Sequence, residues 1–134
     1  MLTDHDFFVP AMRLAALQSD HAPSFAYLFT WTSPIMGGAF GSIHGIDLPF
    51  FWGLRNDPGA ASLVGDLAAA EPLAAMAQDS LLAFMRSGDP TTDALAWPRY
   101  EPPRRATMIL DRASRVVDAP REAERRFWER VLFG

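Results

Sequence analysis

Three histidines are the natural starting point for any chemistry in this chain, and they stand in three different settings. His5 lies between Asp4 and Asp6 at a predicted helix start. A metal there would need ligands that converge on one point, whereas adjacent helical residues point apart, so the reading is a solvated capping segment. His21, in a polar turn, is read the same way. His44 stands between Gly41 and Gly45, after one aromatic run and before another. Glycine admits backbone conformations that thrust a side chain out of a loop, and the ordinary imidazole pKa of about 6.5 suits a group that takes and returns a proton near neutrality. Taken alone, a loop histidine is more often structural or merely exposed.

The elements that must position His44 are read from pattern and punctuation. Thr3 to Ser19 opens with the capping residues Thr3 and Asp4 and continues through Phe7, Phe8, Met12, Leu14 and Leu17, which predicts a helix that Pro10 kinks or delays. Phe25 to Trp31 is aromatic and too short for a stable helix. It predicts a strand, and because both parities are apolar, a strand covered on both faces. Ser33 to Gly45 contains Pro34, Gly37, Gly38, Gly41 and Gly45, so it predicts a long loop; Ile35, Met36, Phe40 and Ile43 make it too apolar for a disordered linker. Asp47 to Gly53 predicts a single helical turn with buried aromatics, and Arg55 to Gly65 a surface connection. Leu73, Met76, Ala77, Leu81 and Phe84 recur at helical spacing between Pro72 near the start and Gly88 past the end. The stretch from Gly88 to Pro103 carries no predicted element. Residues 105–111 and 114–118 predict a small hairpin, and Arg121 to about Leu132 a last helix whose acids lead its arginines, as the helix dipole favours.

Composition bounds the function. The 134 residues are 49% hydrophobic and 21% charged, which is globular and not disordered, and the length predicts one core. Sixteen acidic residues against twelve Lys and Arg give a charge of −4, leaving no electrostatic footprint for nucleic acid or an anionic membrane surface. The basic run from Arg121 to Arg130 is broken by Glu122, Glu124 and Glu129. With no cysteine, disulfides, thiolate metal sites and a cysteine nucleophile are excluded. The first residues lack a signal-peptide pattern and no 18-residue apolar run occurs, so a cytoplasmic protein without a membrane partner is the expectation.

The string from Gly41 to Gly53, Gly-Ser-Ile-His-Gly-Ile-Asp-Leu-Pro-Phe-Phe-Trp-Gly, resembles the segment around the triad histidine of type B carboxylesterases, the family of para-nitrobenzyl esterases and cholinesterases. Further anchors fall in the family's order: Thr3-Asp4 with Phe7 and Pro10; Tyr27-Leu28-Phe29; Phe84 with Gly88-Asp89-Pro90; and Trp97-Pro98 with Tyr100. The resemblance covers the whole chain. It implies an α/β fold, with residues 1–134 forming a single C-terminal segment of an α/β-hydrolase domain: helix, buried strand, histidine loop, amphipathic helix, small hairpin and C-terminal helix. It further implies that His44 is the catalytic general base and acid of a serine esterase. In this fold the triad runs in the order Ser, Asp or Glu, then His, so a segment that opens shortly before the histidine lacks the first two.

The residues agree with that gap. There is no Gly-x-Ser-x-Gly nucleophile elbow and no Gly-rich oxyanion loop of the His-Gly-Gly-Gly type. Ser42 cannot readily replace the nucleophile, because the backbone would have to bend sharply to bring its oxygen to the ring two residues on. Asp47 stands where the family has Glu or Asp; by resemblance it is structural, like Gly41 and Gly45, and it is expected to hold loop backbone or a positive group. Ile35, Met36 and Phe40 are candidates for the lining of an acyl or alcohol pocket, against the plainer reading of loop core. No cofactor is expected. The partners expected are a small-molecule ester in the complete enzyme, and either a chain carrying the serine-containing portion or a second copy of this one. The competing reading is a non-catalytic remnant that binds or self-associates. A third, esterase chemistry by the imidazole alone, would be confined to activated esters.

Overall fold

The computed structural model describes residues 4–134; Thr3, the expected first capping residue, lies outside them. Among the described residues three strands form one sheet in the order β1-β2-β3, with β1 at Tyr27–Phe29, β2 at Ala106–Leu110 and β3 at Arg115–Asp118. The first two run parallel, pairing Tyr27 with Met108, Leu28 with Ile109 and Phe29 with Leu110. β2 and β3 are consecutive, joined by a short turn in which Ser114 Oγ donates to the Asp111 carbonyl, which is the expected hairpin.

Burial on both faces is most complete in β2, and in the run from Phe25 to Trp31 both parities carry a buried residue, Ala26 on one and Phe29 and Trp31 on the other. All five residues of β2 are buried, whereas β1 passes from exposed Tyr27 through half-buried Leu28 to buried Phe29. Among the described residues β2 pairs on both sides and β1 on one.

The chain divides into two compact units. One comprises Tyr27–Trp97 and Met108–Arg115. Here α2 (Leu48–Phe51) follows the histidine loop, then α3 (Pro58–Val64) and α4 (Leu67–Ser87). The expected surface connection over 55–65 is thus largely helix. Its start is chemically defined: Asp57 Oδ1 accepts from the Gly59 and Ala60 amides at 3.0 and 3.3 Å, and Pro58, which needs no amide partner in the first turn, follows it. α4 begins five residues before Pro72, capped by Asp66 through the Ala69 amide at 3.0 Å, and ends on Gly88 in the left-handed conformation. Ala70, Leu73, Ala74 and Ala77 form its buried stripe.

Aromatic packing fixes α2. Phe50 is wholly buried, its ring 4.9 Å from Phe29 and 5.2 Å from Trp31, while Gln78 of α4 donates to its carbonyl at 2.8 Å. Trp52, also expected to be buried, is exposed. Trp31 donates from Nε1 to the Val64 carbonyl at 2.9 Å, and the Arg112 guanidinium lies 4.4 Å over its ring.

The other unit comprises, of the described residues, 4–26, Pro98–Thr107 and Val116–Gly134. A π-helical turn at Asp4–Phe8 leads into α1 (Val9–Ser19), placing Pro10 in the first turn of the α-helix, which it tolerates. α5 (Glu122–Phe133) carries buried Arg125, whose guanidinium is held by Glu122 at 2.7 Å and by Glu129. Arg121 lies 2.6 Å from the carboxylate of buried Asp4. His5 is half-buried, with its ring edge-on to Trp128 at 5.3 Å and its Nδ1 on Asp6, so it is less solvated than expected. No single described helix is long and apolar enough to cross a membrane.

Candidate active site

Parallel strands end on the same side of their sheet, so the carboxyl ends of β1 and β2, at Phe29 and Leu110, lie together. That end is where open α/β sheets place their ligands. Two contacts tie it: the Thr30 amide donates to the Leu110 carbonyl at 3.0 Å, and Thr30 Oγ1 donates to Asp111 Oδ2 at 2.7 Å.

From this end the chain enters the long loop. The Ser33 amide donates to the Gly41 carbonyl at 3.0 Å and closes residues 33–41 on themselves. Within the closed segment Met36 has φ of 52°, in the left-handed region that costs a residue with a Cβ roughly 1–2 kcal/mol. Met36 and Phe40 are well exposed and Ile35 is marginally so. These three candidates for a pocket lining therefore lie on the solvent side of their loop, not in a core.

His44 follows, exposed, in the turn over residues 44–47. Gly41 and Gly45 on either side have φ of 61° and 77°, values that explain why the segment needs glycine there. Beyond the histidine, Ile46 is buried and anchors the loop, and the Asp47 carbonyl accepts from the Phe50 and Phe51 amides to start α2.

Two side chains that sequence reasoning left without a role hold this loop to β1. Tyr27 donates its hydroxyl to Asp47 Oδ2 at 2.9 Å, and Ser42 donates its hydroxyl to the Phe29 carbonyl at 2.9 Å. In place of the expected loop backbone or positive group, the Asp47 carboxylate receives a phenol. Burial, then the negative charge of Asp47, then the hydrogen bond to it, push the Tyr27 phenol well above its ordinary range. The Tyr27 ring also packs against Phe51 at 5.3 Å and Trp97 at 6.3 Å. Ser42, for its part, commits its hydroxyl proton to a strand carbonyl. Nothing in the spacing of the residues indicates either contact. Among the described residues, no three His, Asp or Glu side chains cluster as metal ligands do.

A parallel strand pair with a helical crossover between its strands, and a glycine-flanked histidine in the loop that follows the first, is an α/β arrangement. No family model matches the chain. It is 32% identical over 128 residues to the para-nitrobenzyl esterase of Bacillus subtilis (strain 168), covering 94% of the chain and 25% of that protein. It is 31% identical over 110 residues to the phenmedipham hydrolase of Pseudarthrobacter oxydans, covering 80% of the chain and 22% of that protein. Among solved structures, a thermophilic para-nitrobenzyl esterase superposes with a TM-score of 0.86 at 28% identity, over 96% of the chain and 26% of the other. A carboxylesterase of Geobacillus stearothermophilus superposes with a TM-score of 0.79 at 31% identity, over 95% of the chain and 27% of the other.

The fold is that of a C-terminal portion of an α/β hydrolase. The chain belongs to the type B carboxylesterase family, and it spans about a quarter of the length of the curated relatives it matches.

Proposed function

We propose that this chain supplies His44 as the proton-transfer group of a serine carboxylesterase whose nucleophile and orienting acid are contributed from outside these residues. The observation that carries the reading is the exposure of His44 on a loop between two left-handed glycines, after a strand whose carboxyl end lies beside that of its parallel neighbour. In the complete site a serine hydroxyl attacks the ester carbonyl, and His44 takes its proton and returns it to the departing alkoxide. A carboxylate orients the ring throughout. The substrate is a small carboxylic ester, with Ile35, Met36 and Phe40 offering exposed apolar surface to its acyl or alcohol part. Asp47, Gly41 and Gly45 shape the loop without entering the chemistry.

The test is to mix the chain with a separately produced segment carrying a Gly-x-Ser-x-Gly elbow and to follow release of p-nitrophenol from a short-chain ester. Hydrolysis in the mixture but in neither component, and abolished by His44→Ala, is the expected result. Vigorous hydrolysis by this chain alone, or an unaffected His44→Ala mixture, overturns it. A second reading, self-association, draws on the edge position of β1 and on the exposed Leu48, Trp52 and Leu54. A strictly monomeric species in light scattering that binds no hydrophobic dye contradicts it.

A further inference from the structure

We propose that Ser42 is a positioning residue for His44, an inference that rests on the reading of His44 as the proton-transfer group. In a parallel pair, the N–H and C=O of one residue point to the same side and alternate with those of the next. Thr30 directs its amide to Leu110, so Thr30 faces β2. Phe29, one residue earlier, faces the other way, to the side of β1 away from β2. There its carbonyl accepts from the Ser42 hydroxyl, 2.9 Å away.

The location of that bond gives it consequence. Gly41 and Gly45 both occupy left-handed conformations, and glycine restrains its backbone less than any other residue, so the segment carrying the imidazole has compliant ends. Its two flanks are tied already, upstream by the Ser33 amide on the Gly41 carbonyl, downstream by buried Ile46 and by Tyr27 on Asp47. Ser42 adds a tie inside the compliant stretch, two residues from His44, to a strand whose far side is hydrogen-bonded into the sheet. The strand end becomes the reference against which the imidazole is placed. Small misplacements of a catalytic group cost rate steeply, about a hundredfold for roughly 1 Å, so a single hydrogen bond here governs turnover more than stability. The hydroxyl acts through the loop and does not meet the substrate.

Ser42→Ala removes the bond and Ser42→Thr keeps the hydroxyl. On the chain alone, NMR relaxation and amide exchange of residues 43–45, with the His44 ring resonances, should show faster motion in Ser42→Ala and recovery in Ser42→Thr. The α4 amides serve as an unchanged control for folding. In the complemented esterase, Ser42→Ala should lower kcat by about tenfold with KM little altered, and Ser42→Thr should restore it. Unchanged His44 resonances and dynamics in Ser42→Ala, or failure of Ser42→Thr to differ from Ser42→Ala, overturns the proposal. The arms are separable: a wild-type mixture without esterase activity refutes the role of His44, while the NMR comparison still decides whether Ser42 sets the position of the ring.

Discussion

Replacing Glu122 by Gln should weaken the fold by an amount that depends on pH in a determined direction. Glu122 accepts from Nε and a terminal nitrogen of Arg125, both at 2.7 Å, and from Nε of Arg126 at 2.8 Å. The hydrogen bonds from Arg125 lead, burial opposes them, and the bond from Arg126 adds to them; together they lower the carboxyl from its ordinary 4.5 to about 2. A group whose pKa falls on folding contributes its full stability above its unfolded pKa and loses it as pH drops through the folded one. The interval corresponds to roughly 3 kcal/mol at about 1.36 kcal/mol per pKa unit. Solvent reduces that figure, because Glu122 is 28% exposed and Arg126 is 71% exposed, and roughly 1–2 kcal/mol is expected at neutral pH. Urea denaturation followed by tryptophan fluorescence, for both proteins between pH 7 and about pH 3, measures the difference directly. It should be full at pH 7, begin to shrink near pH 4.5 and fall below half by about pH 3. A gap that stays constant across this range, or its absence at neutral pH, refutes the assignment of Glu122 as the partner that keeps Arg125 buried.

Two further outcomes concern the scaffold beneath the histidine loop. Phe50→Ala should cost about 3–5 kcal/mol in urea denaturation, since the ring is fully buried between Phe29 and Trp31 and its loss opens a cavity. Asp66→Ala should cost about 1 kcal/mol by removing the side-chain acceptor at the start of α4, and circular dichroism at the melting midpoint should show an earlier transition with unchanged native helicity.

Where the physics is local, residues announced their structure. The spacing of Leu73, Ala77 and their neighbours gave α4, Gly88 marked its end, and the order of acids before arginines gave α5. The glycine and proline of 55–65 suggest a surface connection, although proline directly after an aspartate cap is a favourable helix opening, as α3 shows. Pro72 marks the neighbourhood of the start, and the helix itself begins five residues earlier, after the Asp66 cap. The aromatic run before the loop indicates a strand; only the sheet order shows that, among the described residues, β2 lies between β1 and β3. An apolar run records a preference to leave water and says nothing about which neighbours are present.

By itself the sequence determined the family, through short anchors in a set order, and it singled out His44 because glycines flank it within a recognisable string. The tertiary structure alone decided what holds that histidine's loop, since Tyr27 meets Asp47 across twenty residues and Ser42 meets the Phe29 carbonyl across thirteen. Local periodicity encodes which face of an element is apolar. Contacts of this second kind exist only once the chain has reversed through the loop and returned to the end of its own strand.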